Sequence, residues 1–160
     1  MLLYCLTMVF RPAKSPCHPT RDRVVMFLAC LALNLQYRVV YPFLPAISRG
    51  LGVPLATASL LLTVRSLVGA FSPVYGLAAD RYGRRPMMLA GLLALSAGAA
   101  LITLAPGLGI ALLAFALLGF SKAAFDPAMQ AYIGDSVPYE RRGRIMSLVE
   151  LSWSLSWFVG

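Results

Sequence analysis

The chain has 160 residues, of which 59% are hydrophobic and only 12% are charged, and its mean hydropathy is +0.77. Soluble domains carry about 25% charged residues, and a globule of this size buries only about 70% of the surface that its unfolded chain exposes. The composition therefore favours a membrane protein. The net charge of +8 does not indicate a nucleic-acid partner, because the basic residues separate apolar runs and do not cover one face of a soluble fold.

The first 23 residues differ from the rest of the chain. Residues 1–10 are apolar but shorter than the roughly 20 residues that span a bilayer, and a polar, proline-containing segment follows them. We expect residues 1–23 to form a basic cytosolic leader. Residues 24–160 are expected to form a transmembrane domain, with spans at about 24–44, 55–79, 86–104 and 110–133 and an incomplete fifth span at 145–160.

The apolar runs are interpreted as helices. Each run is several times longer than the usual strand of about 5–6 residues, and none alternates with a period of two. Helices also satisfy every backbone group in lipid. Pro42 and Pro45 are expected to close the first span, and residues 48–54 to form the turn that follows it.

The basic residues predict the orientation of the chain. The leader carries four Lys and Arg residues, the link at 80–85 carries three and the link at 141–144 carries three, whereas the alternate links carry Arg49 alone. Loops rich in Lys and Arg face the cytoplasm. We therefore expect a multi-pass protein of the plasma membrane, with its N-terminus and both charged links in the cytosol.

Motifs for catalysis, metals and cofactors are missing from the sequence. It contains no G-x-S-x-G, no Walker loop and no H-E-x-x-H. The odd number of cysteines, with no C-x-x-C spacing, also argues against a disulfide framework or a metal site. We expect no enzymatic activity, no cofactor and no metal.

The link between the second and third runs, GLAADRYGRRP at residues 76–86, resembles the signature G-x-L-a-D-r-x-G-r-k of the major facilitator superfamily. That signature lies between the second and third helices of the family. The sequence departs from it at Ala78, where the family usually has Leu. Residues 41–45 and 127–144 are similar to the ends of the family's first and fourth helices. The matching residues of the link are Gly76, Asp80, Arg81, Gly83, Arg84 and Arg85.

The resemblance covers about residues 24–160 and implies an all-α helix bundle. The chain would be a partial N-terminal six-helix half of a two-half transporter, whose missing C-terminal half would be its partner. By the same resemblance, Asp80 would cap a helix of that other half and hold the cytosolic side shut, while Arg84 would bridge to Asp135. The simpler alternative for Asp80 is a solvated acid beside Arg81 and Arg84. Arg85 is expected to face lipid headgroups.

Several charges fall inside the predicted spans, where ionisable residues are costly and usually functional. Lys122 lies about 20 Å from the outer end of the fourth span and Glu150 about 9 Å from the inner end of the fifth, at 1.5 Å per residue. In a core about 30 Å thick these depths coincide, so we predict that Lys122 and Glu150 approach one another. Asp126 lies four residues after Lys122 and could compete for it.

The first two spans also carry polar and charged residues. Asn34, Gln36 and Tyr37 could line a polar cavity or could hold helices together. Arg38 and Arg65 lie at similar depths, and either their side chains extend to the membrane surface or they face a water-filled cavity. In the second case they would attract an anionic group of the solute or an acid of the other half.

These observations predict a secondary active transporter that moves a small solute across the lipid bilayer by alternating access. Coupling would be to an ion gradient, with Asp126 or Glu150 as candidate proton carriers. In family members an arginine in the fourth helix often serves proton coupling, but Phe115 and Ala116 precede Gly119 here. The alternative is a truncated, non-transporting remnant or a membrane assembly or regulatory partner.

Overall fold

The computed structural model describes residues 19–104 and 107–159. The all-helical membrane fold expected from the sequence is confirmed, since the described residues form helices and the turns between them. Most of the predicted leader, residues 1–18, lies outside the described part. In chain order the helices are α1 (Pro19–Leu51), α2 (Leu55–Ala70), α3 (Ser72–Tyr82), α4 (Arg84–Thr103), α5 (Leu108–Ser136) and α6 (Tyr139–Val159).

Three of these helices are long and apolar enough to cross a membrane. They are α1 from Val24 onwards, α4 and α5, and the bent pair α2–α3 could form a fourth crossing. The predicted spans at 86–104 and 110–133 fall on α4 and α5. The predicted fifth span falls within α6, and its crossing of the membrane stays a prediction.

Helix α1 does not end at Pro42 and Pro45 as the sequence suggested, but continues past both prolines. A proline removes only one backbone hydrogen bond, and membrane helices tolerate this where neighbouring groups compensate. The helix ends instead before Gly52, whose φ of +65° reverses the chain at little steric cost. The hydroxyl of Ser48 donates to the Val53 carbonyl at 2.6 Å and holds the turn.

The second predicted span, 55–79, is interrupted at Phe71. Helices α2 and α3 meet there at an angle of 46°. Pro73, in the first turn of α3, has no N–H with which to continue the hydrogen-bond ladder of α2. Helix α3 then extends to Tyr82, and Gly83 with a φ of +102° forms the tight turn into α4.

Helix α5 is the centre of the bundle and packs against each of the other five helices of the described chain. In the most apolar 18-residue stretch of α5, 50% is buried inside the structure, compared with 22–28% in the corresponding stretches of α1 and α4. Small side chains let neighbouring backbones approach closely, which is how helices associate in lipid. The small buried residues of α5 are Ala111, Ala114, Gly119, Ser121, Ala123, Ala124 and Ala128.

Glycines set the closest of these approaches. A Cβ atom added to Gly91 of α4 would lie 2.8 Å from the Ser121 carbonyl oxygen, and one added to Gly98 would lie 2.9 Å from a methyl carbon of Leu118. On the other side of α5, a Cβ at Gly119 would collide with the Arg65 carbonyl oxygen and lie 3.1 Å from the Arg65 Cα. Helices α4 and α2 therefore pack on α5 at backbone distance.

Replacing Gly119 with alanine should separate α2 from α5. We expect Gly119→Ala to lower the free energy of unfolding by about 1–3 kcal/mol, the usual cost of overpacking, because the new methyl group meets backbone atoms that cannot rotate away. Denaturant unfolding in detergent, followed by circular dichroism, measures the change.

The matched control is Gly134→Ala on the same helix, where nothing lies within 4 Å of the added atom. That variant should unfold like the original chain or be slightly more stable, since alanine favours helix. Equal destabilisation by both substitutions would contradict the close contact between α2 and α5.

Candidate functional site: a charged cavity and a cytosolic ion-pair cluster

The charged link at residues 80–85 is built around Arg84, the first residue of α4. Its guanidinium pairs with Asp135 at the end of α5, so the bridge implied by the resemblance is present. The same side chain lies 3.6 Å from an oxygen of Asp80, at the end of α3. It also donates a hydrogen bond to the Ala131 carbonyl of α5. One arginine thus connects the predicted cytosolic ends of three helices.

The helix dipoles explain why this arginine is needed. Asp80 and Asp135 both lie near helix C-termini, where the partial charge of the helix is negative and a carboxylate is unfavourable. Arg84 offsets that repulsion. Both carboxylates remain nearly two-thirds exposed, whereas Arg84 is 27% exposed, so the two acids can still contact groups outside the described chain.

The remaining residues of the link have weaker contacts. Arg81 is exposed, with its guanidinium 5.9 Å from the Tyr82 ring. Arg85 donates to the Tyr132 hydroxyl at 3.4 Å and so contacts α5 rather than only the membrane surface. A Cβ added to Gly76 would meet Pro127 at 3.8 Å, an ordinary contact that does not require a glycine.

A second cluster lies in a cavity of about 290 Å³ between α1, α5 and α6. Three of the ionisable residues predicted inside the membrane, Lys122, Asp126 and Glu150, lie at its wall. Lys122 is the midpoint of α5, and the other α5 residues at the wall, Asp126, Met129 and Gln130, lie between it and the C-terminal end of the helix. The lining residues are Cys30, Asn34, Lys122, Asp126, Met129, Gln130, Val149, Glu150 and Trp153.

Lys122 is held by groups from two helices. Its ammonium lies 2.8 Å from a carboxylate oxygen of Asp126 and donates to the Asn34 side-chain oxygen at 2.7 Å. The amide nitrogen of Asn34 donates in turn to the Ser152 hydroxyl at 3.1 Å, and that hydroxyl donates to the Val149 carbonyl at 2.6 Å. This polar network joins α1, α5 and α6.

The predicted approach of Lys122 to Glu150 is only partly realised. Both residues line the cavity, but the carboxylate that pairs with Lys122 is Asp126. Asp126 lies one turn along the same helix and needs no particular rotation of α6 to reach the lysine. Glu150 is exposed, and within the described chain it makes no ion pair or hydrogen bond with a side chain.

Arg38 does not line this cavity but is stacked on two tryptophans. Its guanidinium carbon lies 3.4 Å from the centre of the Trp157 ring and 4.2 Å from the centre of the Trp153 ring, both on α6. Its Nε is buried without a hydrogen-bond partner. Cation–π contacts of this kind are worth about 2 kcal/mol or more when the cation is desolvated, so the two indoles partly replace a carboxylate.

Arg65 is packed in the same manner between helices and is also outside the cavity. It is only 1% exposed, and it donates to the Tyr37 backbone carbonyl at 3.2 Å. Its guanidinium lies 3.9 Å from the Tyr37 ring centre and 5.3 Å from the Tyr41 ring centre. The buried amide of Gln36 has no hydrogen-bond partner within the described chain.

The residues of the first two spans that were predicted to line a polar cavity therefore fall into different surroundings. Asn34 lines the cavity, whereas Arg38, Arg65 and Tyr37 form arginine–aromatic contacts that join α1 to α6 and to α2. Sequence reasoning missed Trp153, which lies three residues after Glu150. That spacing places two side chains on one helix face and could have identified it.

Comparison with known proteins identifies the family of the chain. The sequence model of the Major Facilitator Superfamily matches residues 26–160, so the chain belongs to that superfamily of transporters and is a multi-pass membrane protein. It is 29% identical over 140 residues to the uncharacterized MFS-type transporter YwfA of Bacillus subtilis, covering 86% of this chain and 34% of that protein.

Two further relatives carry drug-resistance names. The chain is 33% identical over 138 residues to the multidrug resistance protein MdtG of Citrobacter koseri, covering 82% of this chain and 34% of MdtG. It is 34% identical over 110 residues to the multi-drug resistance efflux pump PmrA of Streptococcus pneumoniae, covering 66% of this chain and 27% of the pump. The chain thus spans about a third of the length of these relatives.

Removing the Arg84 side-chain charge should loosen the predicted cytosolic end of α5. In Arg84→Gln we expect backbone amides at residues 131–136 to exchange hydrogen about fivefold faster, equivalent to about 1 kcal/mol for contacts of partly exposed ions. Hydrogen–deuterium exchange with mass spectrometry in detergent measures this.

The control is Arg81→Gln, which removes an equal charge from the same link, but at an exposed residue. Exchange at 131–136 should remain unchanged in that variant. Equal acceleration in both variants would assign the effect to net charge rather than to the contacts of Arg84.

Proposed function

We propose that this chain forms the first part of a secondary active transporter, which moves a small solute across the bilayer by alternating access. The observation that carries the proposal is the cavity beside the C-terminal half of α5, which begins at the helix midpoint with Lys122 and contains two carboxylates. Charged side chains inside a membrane are costly and usually mark a functional site, and secondary transporters bind solute near the membrane midplane.

The ion-pair cluster around Arg84 supports a gating role for the link. It ties the ends of α3, α4 and α5 together, so that these ends can move as one body during rocking. In our proposal the exposed carboxylate of Asp80 contacts a helix N-terminus of the other half when the cytosolic side is closed. A helix N-terminus carries positive partial charge and favours such an acid.

For the coupling step we propose a proton carried by one of the cavity carboxylates. Asp126 is held by Lys122 at 2.8 Å, so protonation of Asp126 would release the lysine. Glu150 has no such partner within the described chain and lines the same cavity. Either group would connect proton movement directly to the solute site.

The orientation that we propose in the plasma membrane places the N-terminus and the Arg84 cluster in the cytosol. The ten basic residues of the leader and the two charged links, compared with Arg49 alone in the alternate links, support it.

This orientation can be tested with single cysteines in a chain whose native cysteines are replaced by serine. In Arg141→Cys the new thiol should react with a membrane-impermeant maleimide in inside-out vesicles and be protected in intact cells. Ala56→Cys, exposed near the start of α2 on the opposite side, should show the reverse pattern. The same pattern for both cysteines would contradict the proposed topology.

Transport is tested in inside-out vesicles from cells that express the reading frame containing this chain. An imposed pH gradient should drive movement of at least one solute class from a radiolabelled panel comprising a sugar, an amino acid, an organic anion and an organic cation.

Asp80→Asn should reduce the transport rate by about tenfold if the carboxylate contributes about 1.4 kcal/mol to the closed state.

Glu140→Gln serves as the control, since this exposed acid at the start of α6 lies outside both clusters. It should transport at the original rate. Absence of gradient-driven movement for every solute class, with the protein present in the membrane, would reject the transporter proposal and favour the non-transporting alternative.

A further inference from the structure

The charge balance of the cavity indicates which solutes it can hold. Lys122 is neutralised by Asp126 at 2.8 Å and is also occupied by Asn34. Glu150 adds a carboxylate that no basic side chain of the described chain pairs with. Among the residues that line the cavity, the charges therefore sum to one negative charge, from two acids and one lysine.

The aromatic side chain at the cavity wall also favours a positively charged solute. Trp153 lines the cavity, and its ring already accepts two cations, with the Lys122 ammonium 5.4 Å and the Arg38 guanidinium carbon 4.2 Å from the ring centre. Indole is the best of the side-chain rings at binding cations through its face. Arg38 does not line the cavity, so its charge is not presented there directly.

The remaining wall is apolar apart from Gln130. Cys30 and Met129 lie side by side, with their sulfur atoms 3.1 Å apart, and Val149 lines the α6 side. Methionine fits irregular apolar partners because its side chain is unbranched and polarizable. A volume of about 290 Å³ is at the lower end of the range for small-molecule sites and suits a compact body such as a single ring.

We propose that this cavity binds a compact organic cation, with its positive group beside Glu150 and its apolar or aromatic body against Trp153 and Met129. This assignment rests on the proposed function, for which it names the solute class. An organic anion is disfavoured because the cation that would receive it, Lys122, is already bound by Asp126 and Asn34.

The test uses the two tryptophans of the chain, both of which lie on α6. Trp157→Phe leaves Trp153 as the only tryptophan, so fluorescence then reports on the cavity wall. The protein is placed in lipid nanodiscs and titrated with benzyltrimethylammonium, and in parallel with phenylmethanesulfonate, an anion of similar size and the same ring. Empty nanodiscs correct for partition into lipid.

We expect saturable quenching by the cation and none by the anion. Glu150→Gln should weaken cation binding by about tenfold, because it removes the charge that attracts the positive group of the ligand and keeps the size of the side chain. Glu140→Gln makes the same chemical change on the same helix outside the cavity and should bind as before. Equilibrium dialysis with both tryptophans present checks that Trp157→Phe has not altered the site.

Three outcomes would overturn the assignment: no saturable binding of the cation, equal binding of the anion, or equal affinity in Glu150→Gln and the original. These results are separable from failure of the proposed function. If the vesicles transport another class from the solute panel, the transporter proposal stands and only the organic-cation assignment fails. If they transport none, the function itself fails.

Discussion

The structure depends on the backbone-distance packing of α5 against α2 and α4. Apolar burial gives little driving force between helices in lipid, so close contact and hydrogen bonds have to hold them together. Gly119 allows the α2 backbone at Arg65 to touch α5, and Gly91 and Gly98 do the same for α4. A side chain at any of these three glycines would meet an atom nearer than ordinary contact distance.

This packing determines which face of α5 is free for chemistry. Because the small residues of α5 pack against α2 and α4, Lys122 and Asp126 project into the space shared with α1 and α6, where the cavity lies. The α4–α5 contact also brings Arg84 to the end of α5, within reach of Asp135 and the Ala131 carbonyl. The cavity and the ion-pair cluster are therefore two consequences of one arrangement of helices.

The buried arginines show a different solution to the cost of charge in a membrane. Arg38 and Arg65 have no carboxylate partner within the described chain, and both are stacked on aromatic rings of α1 or α6. Their charges are thereby used to join helices, while the acids Asp126 and Glu150 remain at the cavity wall. This division explains why the cavity is negative in a chain with a net charge of +8.

Much of this could be read from the sequence, because hydropathy, run length and loop charge are local properties. They predict helices, their approximate limits and the surface position of the charged link, and the resemblance of that link identified the Arg84–Asp135 bridge. Depth along a helix can also be estimated from residue number, which predicted Lys122 and Glu150 at one level, and both residues line one cavity. Which partner each takes was not predictable, because it depends on the rotation of one helix relative to another.

From the sequence alone follow a helical membrane protein, a charged turn at Gly83 and ionisable residues within apolar helices. The folded arrangement was needed to show that α1 continues past Pro42 and Pro45, that Asp126 rather than Glu150 pairs with Lys122, and that Trp153 is part of the cavity wall. The physical reason is that a residue's type and position fix its depth and its cost of burial, whereas its contacts are fixed by the packing of small residues between helices far apart in the chain.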